Sequence, residues 1–410
     1  MTAIREAEYS SKLFLWMGAL SALVIWGLIS AYVVFTQGLI VTGLSNSVVW
    51  GLWIAADFSF ISLSAGAFAV SALIYVFHLE RFRAVGRLAI FIGLIGYTIT
   101  MLTLVLDVGR PDRFWYPLIY WNNSSVLLEV FWCVSLYTAV LFGEFAPSLA
   151  KGGRLMRSRA MISVSKALEW AMPALATAGV VFSTLHQSSL GALYGVVIAR
   201  PLWNTAWMPL LFLASAVPAG LSMTILAASI TSRFTKREVA SRDIVSSLSK
   251  IVGIALLVYI GIYVWNYIVL NSSPSAEPLL AALAGTPYQY LPLVFELGLG
   301  AMVPAAIFLI PPLRRSGKAV LVGAALVVMG LVADRWDVTV MGQLANSLPP
   351  IAYVKGEDIP VYGMHLASYI PTWPEWMTVI GAVALGLLIY TAGVKWFNVL
   401  PANRTTANSK

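Results

Sequence analysis

Charge is scarce in this sequence. Asp, Glu, Lys and Arg make up 11% of its 410 residues, 59% are hydrophobic, and the mean hydropathy is +0.82. A soluble domain carries about 25% charged residues, so this composition excludes a water-facing surface and indicates a polytopic membrane protein. Cysteine is nearly absent: Cys133 stands alone, inside an apolar run. One thiol excludes an intrachain disulfide and a cysteine-ligated iron–sulfur cluster within the chain. Histidine is limited to His78, His186 and His365. A haem inside a helical bundle usually takes two axial histidines, and no two of these share a depth, so no haem is expected. No metal site, dinucleotide fingerprint or P-loop stands out.

What the chain has instead is long apolar runs. A helical span needs about 20 such residues, and the alternating short segments of a membrane barrel are missing. Ten spans are expected, at 13–35, 48–77, 88–108, 124–146, 163–185, 206–231, 247–270, 290–312, 318–335 and 375–397. The first run is long enough to span, so no cleavable signal peptide is expected, and neither end shows a lipidation motif. The expected fold class is an all-α integral membrane protein, a single polytopic domain. It would hold two four-helix bundles, 48–185 and 206–335, with peripheral first and last helices at 13–35 and 375–397.

The net charge of +8 reflects topology, not nucleic-acid binding. Of the 26 Lys and Arg, 21 fall in alternate loops, and only Arg110, Arg113, Arg200, Arg335 and Lys355 fall in the others. That bias places both termini in the cytoplasm. The outer loops, 109–123, 186–205, 271–289 and 336–374, are rich in Trp, Tyr, Pro and Asn. Trp115, Tyr116, Tyr120 and Trp121 suit a headgroup-level belt. Tyr362, His365 and the run from Tyr369 to Trp373 are candidates for a docking surface.

An ionisable group inside a span is a functional hypothesis by default, because burying it is costly. The chain is organised around Ser183-Thr184-Leu185-His186-Gln187-Ser188-Ser189-Leu190-Gly191, where an apolar segment ends in polar groups. Asp57 lies roughly 13 Å into span two, with Ser64 seven residues on, on the same helical face. Asp107 closes span three, followed by Arg110, and Glu129 lies near the outer end of span four. These residues converge toward the outer third of one bundle. Each has a plainer reading: Asp107 with Arg110 as a helix-end salt bridge, Asp57 and Glu129 as hydrogen-bonded structural groups, His186 as a solvated residue at the water boundary. Glu296, and Asp334-Arg335-Trp336-Asp337 at the surface end of span nine, are weaker candidates. His78, beside Glu80 and Arg81, reads as a solvated helix end.

Several motifs in order resemble the NrfD/PsrC polysulfide-reductase-type membrane-subunit family, in its ten-span, HybB-like branch. They are Trp50-Gly51-Leu52-Trp53-Ile54-Ala55-Ala56-Asp57 leading to Leu63-Ser64-Ala65-Gly66-Ala67; Asp107-Val108-Gly109-Arg110-Pro111; Leu185 to Gly191; Pro201-Leu202-Trp203 with Pro209 to Leu213; Arg335-Trp336-Asp337-Val338; and Tyr369-Ile370-Pro371-Thr372-Trp373. The resemblance covers essentially the whole chain. It implies a haem-free, quinone-reactive subunit of a respiratory oxidoreductase in the cytoplasmic membrane of a prokaryote. It also implies a ferredoxin-like iron–sulfur partner and a catalytic subunit on the outer, periplasmic face. The expected ligand is a quinone or quinol, with menaquinone the expected species. His186 and Asp57 are the expected partners of its two oxygens, with Gln187 and Ser64 as further hydrogen bonders. Asp107 and Glu129 are expected proton relays, and Arg110 is expected to hold Asp107 ionised. The rival reading is an ion or solute transporter without redox chemistry, since charges inside two bundles would serve either. A structural anchor with a vestigial site is a third reading.

Overall fold

The computed structural model describes residues 2–108, 110–152, 159–284, 286–346, 365–396 and 399–400. Gly109, Arg154, Arg157, Lys355, Tyr362, Arg404 and Lys410 lie outside the described residues. Among the described residues, ten helices are long and apolar enough to cross a membrane: Ser11–Gln37, Leu52–Val76, Glu80–Asp107, Val126–Ser148, Ile162–Gly195, Met208–Thr235, Arg242–Asn271, Pro287–Leu309, Gly317–Leu344 and Trp373–Trp396. These are spans one to ten below. Hydrocarbon offers backbone groups no partner, so each run must satisfy its own in a helix. Besides these spans and short helical turns, Ala345–Asn346 pairs antiparallel with His365–Leu366.

Spans two to five pack on one another, as do spans six to nine. Span six also lies against spans two, three and five, while span one packs along span ten, which rests on spans two and three. Small residues allow these approaches. A Cβ on Gly220 in span six would overlap the backbone nitrogen of Gly66 in span two. Span one faces outward with Leu15, Leu28 and Tyr32 exposed, as suits a lipid-facing helix.

Two helices run further than their apolar stretches suggest. Span five continues to Gly195, so His186 and Gln187 lie nine and eight residues inside it and are fully buried. The expectation of His186 at a water boundary is thereby corrected. The polar run stays helical because its hydroxyls find partners there: Ser189 bonds back to the Leu185 carbonyl (2.8 Å) and reaches Glu129 (2.6 Å). Span nine continues past Trp336 through a wide, π-type stretch, Asp337–Met341, to Leu344. Arg335 is therefore in the interior, 1% exposed, instead of at the surface.

Span two is broken. Its first helix ends at Leu63 and a second begins at Gly66. Ser64 donates to the Phe60 carbonyl (2.7 Å), a back-bond of the kind that bends helices.

Candidate functional site

Asp57 sits on the buried face of span two, 1% exposed. Thr103 of span three donates its hydroxyl to Asp57 Oδ1, while Asp57 Oδ2 meets no donor. One turn along span two, the Ile61 carbonyl accepts from Gln187 Nε2 of span five (3.3 Å). Gln187 Oε1 and both ring nitrogens of His186 are without a partner. The His186 ring leans on Tyr97 of span three, centroids 5.6 Å apart, and Tyr97 meets Tyr137 of span four edge-on at 4.9 Å. The hydroxyls of Tyr97 and Tyr137 both lie near the Ser183 hydroxyl, but no well-aligned hydrogen bond joins the three. Ser183 precedes His186 and Gln187 by three and four residues, so all three share a helix face. Ser64 packs against Gly96, the neighbour of Tyr97.

These groups come from all four helices of the first bundle. Among the described residues, eleven buried side-chain polar atoms lack a hydrogen-bond partner, and nine of them belong to spans two to five. Each such atom costs about 1–3 kcal/mol if left unmet, and native proteins rarely tolerate a cluster of them without a ligand or ordered water. An imidazole with both nitrogens unmet, a carboxylate oxygen and three hydroxyls can hold an oxygen-bearing ligand and exchange protons with it.

The other expected residues lie closer to the loops. Asp107 is one turn past Thr103, half-buried, and within electrostatic reach of Asp57 and of Glu375 in span ten. Glu129 is exposed at the end of span four and accepts from Ser189. Arg110 does not turn to Asp107. Its guanidinium forks onto the exposed Asp112, with two bonds of 3.2 Å, and holds that carboxyl below its usual range. The Tyr369–Trp373 run divides between roles. Tyr369 is buried, accepts from the Leu52 amide (2.7 Å) and donates to Glu375, so it fastens the last loop to spans two and ten. Ile370 and Trp373 stay exposed.

Three buried groups escaped the sequence reading. Tyr97 and Tyr137 pass for ordinary membrane aromatics. Glu144 is a buried acid in span four, seven residues from Tyr137 on the same face and beside Gly179 of span five. Its signal was an acid within an apolar run. The larger surprise is Arg335. It donates to Ser62 of span two (3.2 and 3.0 Å), to Ser215 (2.9 Å) and the Phe212 carbonyl (3.3 Å) of span six, and to Asp334, and it lies 4.0 Å over the Phe212 ring. Among the described residues, no group of three or more His, Cys, Asp or Glu is placed to hold a metal ion.

A family model described as "Polysulphide reductase, NrfD" matches residues 40–346. The chain is 31% identical to the "Menaquinone reductase, integral membrane subunit" of Nitratidesulfovibrio vulgaris, over 95% of this chain and 93% of that one. It is 28% identical to the "Hdr-like menaquinol oxidoreductase integral membrane subunit" of Archaeoglobus fulgidus, over 88% and 87%. It is 26% identical to the "Probable Ni/Fe-hydrogenase 2 b-type cytochrome subunit" of Escherichia coli, over 88% and 86%.

Proposed function

The chain belongs to the polysulphide reductase NrfD family, and from that premise we propose that it is the quinone-reactive membrane subunit of a respiratory oxidoreductase. Two of its relatives carry menaquinone or menaquinol in their names, which supports menaquinone as the species. The observation that carries the reading is the set of unpartnered buried atoms around His186 in the first bundle.

A quinone ring in that cluster offers two oxygens. His186 donates to one through whichever nitrogen bears the proton. Asp57, oriented by Thr103, takes or returns a proton at the other through Oδ2. Gln187 lies beside His186, and Ser64 packs against Gly96, next to Tyr97. Oxidising a quinol releases two electrons and two protons; reducing a quinone consumes them. Protons pass along Asp107 and Glu129 on the side of the aromatic loops. Tyr137 and Glu144 extend the polar row toward the other side, and any coupling to proton movement across the membrane would use them. Electrons pass to an iron–sulfur subunit docked over the aromatic loops, and from there to a catalytic subunit. The alternating loop charge supports a periplasmic position for that side, with both termini cytoplasmic. Although one relative is named a b-type cytochrome subunit, three histidines without a depth-matched pair support a haem-free chain here.

Purifying the native complex tests this directly. Retained quinone together with a multi-cysteine partner is the expected result. A complex with neither would sink the reading and favour the transporter.

A further inference from the structure

The second bundle contains a cavity of 470 Å³ that the proposed chemistry does not use. Spans six to nine and the short helix Glu277–Ala284 enclose it. That volume is in the range of small-molecule sites, about 300–1,000 Å³. Most of the lining is apolar and much of it flat: Trp203, Phe212, Tyr263, Tyr267 and Tyr290 all present rings to it.

The polar lining comes from Asn266 of span seven, Gln289 at the start of span eight, and Asp334, Arg335 and Asp337 of span nine. Asn266 spends its carbonyl on the Thr205 hydroxyl (2.9 Å), and among the described residues its amide nitrogen donates to nothing. The Asp337 carboxylate likewise has no hydrogen bond or ion pair among the described residues. The one cation in the lining, Arg335, is committed to Ser62, Asp334, Ser215 and the Phe212 carbonyl. The lining therefore offers free donors and acceptors, the Asn266 amide nitrogen and the Asp337 carboxylate among them, and no free positive charge. It suits a neutral head with a hydroxyl or carbonyl oxygen, not an anionic one.

Local backbone geometry points to the same place. Spans eight and nine both leave the α-helical path where they face the cavity, at Leu291–Met302 and Asp337–Met341. Such wide turns are frequent at functional sites. Tyr290, Leu293 and Val294 line the cavity and are also exposed on the outside of span eight. An apolar tail can therefore leave sideways into the bilayer.

We propose that this cavity is a second binding site for a quinone-class molecule. The ring lies among the aromatic residues, one oxygen takes the Asn266 amide proton, and a hydroxyl in the reduced form donates to Asp337. The proposal rests on the quinone reading of the protein but concerns a different bundle. Arg335 joins the two sites, since it touches this cavity and holds Ser62, next to the Ile61 carbonyl that Gln187 contacts.

The test uses the purified native complex with a photoreactive quinone, mapped by peptide mass spectrometry, alongside counts of bound quinone. Label is expected on peptides of 263–270 or 289–294, with two quinones per complex. Ala284→Trp, at the exposed lip, and Asn266→Leu should each remove that label and one quinone. His186→Ala should remove only the first-bundle label. Label confined to the first bundle, or unchanged in both cavity variants, would overturn the second site while leaving the first. Label from a photoreactive phospholipid in the cavity that quinone fails to displace would assign it to lipid and overturn the proposal too. No quinone label in either bundle would overturn the functional reading together with this one.

Discussion

Arg335 of span nine donates to the hydroxyl of Ser62 in span two, through Nε at 3.2 Å and Nη2 at 3.0 Å. A buried guanidinium thus ties one bundle to the other. Removing one member of a buried ion pair costs about 3–5 kcal/mol, because it strands the other charge. Arg335→Met should therefore lower the thermal midpoint of the complex and leave Asp334 uncompensated. Adding Asp334→Asn should recover part of the loss. Detergent-solubilised thermal melts of the single and double variants read this out, and an unchanged midpoint for Arg335→Met would show that the tie carries no load.

In the proposed site, His186→Ala removes a headgroup contact without touching the packing of the bundle ends. Losing one hydrogen bond between neutral groups is worth about 0.5–1.5 kcal/mol, so quinone-linked turnover at limiting quinone should fall about two- to tenfold.

Asp57→Asn keeps the shape and still accepts from Thr103, but it cannot carry a proton. It should slow turnover more than it weakens quinone binding. Glu296→Gln, in the other bundle, should affect turnover less than either. If Glu296→Gln abolishes turnover while His186→Ala and Asp57→Asn stay near wild type, the reactive site is not in the first bundle.

Tyr369→Phe deletes a hydroxyl that serves both the Leu52 amide and Glu375. The stranded groups should cost about 1–3 kcal/mol. The expected outcome is a lower thermal midpoint with turnover per assembled complex preserved; lost turnover at unchanged stability would assign Tyr369 to the chemistry.

The purified chain should show no b-type haem absorption. A stoichiometric b-haem spectrum assigned to this subunit would overturn the site as drawn here.

Crosslinks from the proposed iron–sulfur partner should fall on 108–125 and 196–207, the loops flanking the first bundle's polar end. Crosslinks found only on the opposite loops, such as 236–241, would reverse either the docking or the topology.

The ten spans were legible because hydrocarbon leaves the backbone no alternative to a helix. The helix ends were not. His186-Gln187-Ser188-Ser189 looks like a loop by polarity, yet it stays helical because Ser189 and Gln187 find partners on spans four, two and their own turn. Arg335 reads as a surface residue for the same reason. Its partners Ser62 and Ser215 lie 273 and 120 residues away in sequence, and no local pattern announces them. Asp57 stands out as an acid inside an apolar run, and His186 as part of a polar cluster where an apolar run gives way. Tyr97 and Tyr137 were not, since aromatic residues are at home in a membrane, and only their unpartnered hydroxyls set them apart.

Gly66 and Gly220 bring spans two and six together with no side chain between them. Rocking the two halves apart would need a surface that slides, and two touching backbones next to a pinned guanidinium give none. Opening that seam would also bare a charged pair to lipid. A seam of that kind holds the two halves in register, which fits the proposed quinone chemistry, where nothing larger than a ring has to enter, better than a transporter that must part them.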